Sequence, residues 1–115
     1  MKLFMDDAVA APPDWEVTRT VPDTILFLQE SGDEVEHLSL DHDMGTQQTG
    51  MEVVDWMISN NYCPPLVYIH SANIIRAPEM VKRLRERFPD KEIYRVARCS
   101  GFDDGFVRQP KNRDD

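Results

Sequence analysis

From residue 20 onward, capped amphipathic helical segments alternate with short apolar runs, and this alternation leaves few folds open to the chain. Thr20 to Asp23 reads as a helix start with Pro22 in the first turn, leading into Ile25, Leu26 and Leu28 and stopping at Gly32. Thr49 and Glu52 have capping-box spacing, with Met51, Val54, Met57 and Ile58 as the apolar stripe behind them. Pro78 opens a third helix, Val81, Leu84 and Phe88 share one of its faces, and Pro89 ends it. Residues 2–6, 16–19, 38–41, 66–70 and 93–97 read as strands. Strands joined through helices run parallel, so the class is α/β with a mostly parallel five-stranded sheet.

The first crossover is different. Between residues 7 and 15, Ala10, Ala11, Pro12 and Pro13 leave no room for a packed helix, so a loop replaces it. Right-handed crossovers with strand order 2-1-3-4-5 then place all three helices on one side of the sheet. The strand pattern agrees: Leu3, Met5, Val17, Leu38, Leu40, Val67 and Ile69 share one face, and Lys2, Thr18, His37, Ser39 and Tyr68 take the other. The second face, with Phe4 and Tyr68, needs a cover. Either residues 98–108, with Phe102, Phe106 and Val107, fold back over it, or it is the interface of a homodimer. Residues 1–108 are expected to form one receiver-like domain, and residues 109–115, with nothing apolar to bury, a mobile tail.

A chain of 115 residues supports one core and not two. Thirteen Lys and Arg against twenty-one Asp and Glu give a net charge of −8, the wrong sign for tracking a phosphate backbone over a broad surface. A small phosphorylated ligand, or one strand end, fits if a local site supplies the positive charge. No stretch approaches the roughly 18 to 20 apolar residues of a membrane helix. Residues 1–5 carry one Lys and run into Asp6 and Asp7, so no secretory signal is expected. Cys63 and Cys99 lack CxxC spacing and read as free thiols in a reducing cytoplasm.

In open parallel sheets, ligands sit beyond the carboxyl ends of the strands. Strand one delivers Asp6 and Asp7 there, strand three Asp41, His42 and Asp43, and strand four His70, Ser71 and Asn73. Two carboxylates about 4 Å apart repel by on the order of 4 kcal/mol at an effective dielectric of about 20. The crevice therefore needs Mg2+ or Mn2+ on Asp6, Asp7 and Asp41, a retained proton, or a charged histidine. His42 and His70, flanked by Asp41, Asp43 and Ser71, are the candidates for proton transfer, with Asp41 or Asp43 orienting an imidazole. Ser71 lacks a Gly-x-Ser-x-Gly elbow and reads, with Asn73, as a donor to phosphate oxygens. Arg76, just ahead of the third helix, is where positive character concentrates. His37 reads as structural.

Leu3-Phe4-Met5-Asp6-Asp7, Ser39-Leu40-Asp41-His42-Asp43-Met44-Gly45, Thr49-Gly50 and His70-Ser71-Ala72-Asn73 resemble the receiver domains of two-component signalling and, more closely, the cyclic-phosphate processing receiver-like family, over about residues 2–88. That resemblance implies a cyclic phosphodiesterase-type hydrolase acting on a small cyclic-phosphate ligand or an RNA end. The alternative is a noncatalytic receiver-like module that binds a nucleotide or a protein. Signalling receivers carry a Lys after the fifth strand to contact the phosphoryl group. Here the sequence runs Val96-Ala97-Arg98, which disfavours Asp41 as a phosphoacceptor.

Overall fold

The computed structural model describes residues 1–98 and 106–108. Its elements are β1 (Lys2–Met5), β2 (Glu16–Thr18), α1 (Val21–Ser31), β3 (His37–Leu40), α2 (Gly50–Ser59), β4 (Leu66–Ile69), α3 (Arg76–Arg87), β5 (Glu92–Arg98) and β6 (Phe106–Arg108). The sheet order is β2-β1-β3-β4-β5-β6. The first five strands are parallel in the expected order, and β6 adds an antiparallel edge beside β5. Residues 106–108 thus extend the sheet rather than fold across its face. Cys99, Phe102 and the expected tail at 109–115 lie outside the described residues.

Local chemistry sets the helix starts. Thr20 Oγ1 accepts from the Asp23 amide at 3.1 Å, as a cap should. Thr49 Oγ1 instead accepts from Met51 at 3.3 Å, while the Glu52 amide turns to the Thr49 carbonyl at 3.0 Å. The capping box expected there is therefore a tighter single-residue cap. α3 begins two residues before Pro78, because Asn73 Oδ1 accepts the amides of Ile75 (3.1 Å) and Arg76 (2.8 Å). Pro78 lies in the first turn, where its missing N–H would have had no helical partner in any case.

The helix side of the sheet carries the larger core. Leu3, Met5, Leu38, Leu40, Val67, Ile69 and Ile93 are fully buried there with Leu28 of α1, Met57 of α2 and Leu84 of α3. Each such side chain contributes roughly 1.5–3 kcal/mol by leaving water. The register corrects one expectation. Val17 pairs with Phe4 and Thr18 with Met5, so Thr18, not Val17, faces the helices. Thr18 is tolerated because its hydroxyl bonds Thr24 Oγ1 at 2.7 Å, and Thr24 in turn donates to the Thr20 carbonyl at 2.7 Å.

The opposite face is covered from within the chain by the loop joining β1 to β2. Asp14, at φ 69°, follows Pro13 in a tight turn closed by the Trp15 amide on the Pro12 carbonyl at 3.4 Å. That turn delivers Trp15 onto Phe4 (ring centroids 6.2 Å apart, edge-on) and Tyr68 (6.3 Å), with Val9 and Ala11 beside them. Phe4 and Tyr68 are consequently buried in a single copy. The apolar patch expected to drive a homodimer is therefore not exposed, because two prolines that exclude a helix still permit a compact lid.

Candidate functional site

The site follows from strand register. Met5 pairs with Leu40 and Leu40 with Ile69, so the next residues, Asp6, Asp41 and His70, form one row across three adjacent strands. The ladder runs on through it, with the Asp41 amide on Met5 O at 3.2 Å and the His70 amide on Leu40 O at 3.0 Å. Alternation puts this row on the side of Phe4, Ser39 and Tyr68, under the loop, and turns the following residues the other way.

The inner row is buried and interlocked. His70, 1% exposed, holds Asp6 Oδ2 through Nε2 at 3.0 Å and Ser39 Oγ through Nδ1 at 2.6 Å, and its ring stacks on Phe4 at 4.5 Å. Asp6 Oδ1 accepts the amides of Ala8 and Val9, each at 2.9 Å. Burial by itself raises the Asp6 pKa, but the His70 hydrogen bond, the Val9 and Ala8 amides and the attraction of His70 outweigh it. The carboxyl is held well below its ordinary value of 3.8. An ionised Asp6 only accepts, so Nε2 carries a hydrogen and, in the neutral ring, Nδ1 accepts from the Ser39 hydroxyl. One ligand atom each from Asp6, Asp41 and His70 lies within 4.8 Å of the others, the only such group among the described residues.

The outer layer is separate. His42 Nδ1 donates to Asp43 Oδ1 at 2.8 Å, and Asn73 Nδ2 reaches the same oxygen at 3.4 Å, joining the turns after β3 and β4. The His42 amide donates to Asp41 Oδ1 at 2.8 Å, which ties the two layers together. Ser71 Oγ accepts the Asn73 amide at 3.1 Å, so its hydroxyl hydrogen is left to donate elsewhere. Asp7 is exposed, and a Cβ on Gly45 (φ +71°) would come within 2.8 Å of its Oδ2, so Asp7 packs on the β3–α2 turn apart from the buried row. Arg76 is exposed and pairs through Nη1 with both Glu79 oxygens at 3.2 Å.

The expected residues thus resolve into an inner group of Asp6, Asp41 and His70 and an outer group of His42, Asp43, Ser71 and Asn73, with Arg76 at the rim. Sequence reasoning overlooked Ser39 and Arg19. Ser39 lies two residues before Asp41, and strand alternation alone places it under that row. Arg19 Nη1 donates to Asp6 O at 2.8 Å and Val9 O at 2.7 Å, pinning the loop. Gly50 is also essential: a Cβ there would lie 1.8 Å from the Asp41 carbonyl. A cavity of about 450 Å3 is at the far end of the sheet beside Cys63 and Tyr62. Burial pushes the Cys63 thiol up to about 12, so it supplies no thiolate near neutral pH. The buried carboxylate and imidazole cluster is at the carboxyl end.

Among known proteins, the family model described as the cyclic-phosphate processing receiver domain matches residues 1–86. No curated protein and no solved structure matches. No helix of the described residues is long and apolar enough to cross a membrane.

Proposed function

The chain belongs to the cyclic-phosphate processing receiver domain family, and from that premise we propose that it hydrolyses a cyclic phosphate on a nucleotide or RNA end at the carboxyl edge of its sheet. The observation that carries this reading is the His42–Asp43 hydrogen bond beside the buried Asp41. With Nδ1–H given to Asp43, Nε2 of His42 is the basic nitrogen, and the neighbouring carboxylate stabilises the imidazolium that forms. In the reaction, His42 takes a proton from water as the water oxygen bonds to phosphorus. One ring P–O bond then breaks, and the His42 imidazolium gives the proton it took from water to the leaving oxygen. The Ser71 hydroxyl and the Arg76 guanidinium bind phosphate oxygens.

His70 has both ring nitrogens engaged and no exposed edge, so it supports Asp6 and moves no proton. Asn73, whose Oδ1 is committed to two backbone amides, shapes the turn. Two carboxylates and an imidazole suit Mn2+ better than Mg2+, so Asp6 and Asp41, without Asp7, would hold a divalent ion, with His70 joining them through Nε2 once its proton has moved to Nδ1 and is donated to Ser39 Oγ. Such an ion would supply positive charge against the phosphate oxygens.

Two measurements test this. His42→Ala lowers turnover of nucleoside 2′,3′-cyclic phosphates by roughly 100-fold, with circular dichroism unchanged. Undiminished turnover removes His42 from the mechanism, and a wild type that binds the cyclic ligand yet never opens it makes the domain a binding module. Millimolar Mn2+ raises the melting temperature of the wild type but not of Asp41→Asn. If no ion shifts the melt and Asp41→Asn is itself stabilising, the carboxylates are relieved by hydrogen bonding and protonation alone.

A further inference from the structure

A second cavity, about 270 Å3, opens beside the crevice and is lined by His42, Met51, Arg76 and Glu79. Because it shares His42 with the outer layer, a ligand whose phosphate lies in the crevice continues into it. Its volume is just under the roughly 300 Å3 at which pockets for whole small molecules begin, which suits one ring system rather than a complete ligand. Met51 offers a soft apolar wall, steadied by Arg83 Nη1 at 3.0 Å from its sulfur. In the turn just before Arg76, Ile74 and Ile75 are 78% and 71% exposed, the most exposed large hydrophobics among the described residues. They project because Asn73 Oδ1 fixes the turn through the amides that follow.

We infer that this cavity is a base site, selective for guanine, for the nucleotide whose cyclic phosphate occupies the crevice; the inference rests on the reading above. Glu79 presents two carboxylate oxygens, now both held by Arg76 at 3.2 Å. Guanine carries two neighbouring N–H donors on its Watson–Crick edge, which match such a pair once Arg76 turns to the phosphate. Adenine, cytosine and uracil each set an acceptor beside their donor on that edge, and a carboxylate facing an acceptor is repelled, so the same group that favours guanine rejects the other three. The apolar wall at Met51 accepts one face of the ring.

Calorimetry on the full chain tests this with guanosine, adenosine, cytidine and uridine 2′,3′-cyclic phosphates and with the baseless ribose 2′,3′-cyclic phosphate. Guanosine cyclic phosphate should bind about tenfold or more tightly than the other three nucleotides, and Glu79→Gln should bring it down to their level. Equal affinity for all five ligands overturns the base site while leaving the cyclic-phosphate reading intact. Binding of unphosphorylated guanosine with the same preference, together with no binding of the ribose cyclic phosphate, supports the base site and overturns the cyclic-phosphate reading. No binding by any ligand at millimolar concentration overturns both, and the exposed isoleucines would then mark a protein contact.

Discussion

The two histidines at the carboxyl edge sit in opposite surroundings. His42 has Nδ1 on an exposed carboxylate and lines the smaller cavity, whereas His70 is clamped by Ser39 and Asp6 under a stacked Phe4. Their alanine variants should separate in stability. His70→Ala leaves the Asp6 carboxylate buried without its imidazole, which costs about 3 kcal/mol or more. His42→Ala removes a mostly buried ring whose one hydrogen bond goes to an exposed carboxylate, and should cost less, about 1–2 kcal/mol. Urea unfolding measures both, and a His70→Ala midpoint close to that of wild type would mean that the imidazole is dispensable to the buried row. Which residues gather here was legible in the sequence, since Asp6, Asp41 and His70 each follow a short apolar run. Their division into layers was not. It depends on register between strands 30 to 60 residues apart, and a one-residue step moves a side chain to the other face.

At the scale of elements, strand order and the number of helices followed from the caps and prolines, while the errors fell where a short element had no strong periodicity. β2 has three residues, and its only apolar one, Val17, points away from the main core, so pattern alone favoured the wrong face. The start of α3 was misplaced because Pro78 was taken as the boundary, when Asn73 binds the first free amides three residues upstream of the Arg76 position. The close approach of α2 to β3 was visible only as a glycine. Gly50 donates its amide to His42 O at 2.9 Å and presses on Asp41 O, so the helix begins directly against the turn that carries His42 and Asp43. A methyl group at this position has backbone in front of it, which cannot rotate away. Gly50→Ala should therefore destabilise the protein by about 3 kcal/mol or more, read from thermal or urea melts. A melt indistinguishable from wild type would show that α2 can slide away from β3, and the His42 geometry would then be free to vary as well.

At the scale of the molecule, among the described residues, the sheet is covered by unlike layers, three α-helices on one side and a proline-bearing loop on the other. The sequence showed that a cover was needed but not that residues 7–15 provide it, because Trp15 is one aromatic in a stretch with no period, and its destination depends on the left-handed Asp14. The loop also does the site's work: its amides at Ala8 and Val9 hold Asp6, and Arg19 ties its backbone to β1. Trp15 is thus both lid and tether. The full chain should sediment at its monomer mass of 13.3 kDa, since Phe4 and Tyr68 are already buried. Trp15→Ala opens that face and should cost about 3–5 kcal/mol, with concentration-dependent association as the exposed aromatics pair between copies. Trp15→Phe retains most of the apolar cover and should stay monomeric. The comparison separates two causes of association: if both variants associate equally, general loss of stability is responsible, whereas association of the alanine variant alone assigns it to the uncovered face. A wild type that is dimeric at micromolar concentration, with Trp15 fluorescence unchanged on dilution, would mean that the copies meet elsewhere and that the loop is a sufficient lid on its own side of the sheet.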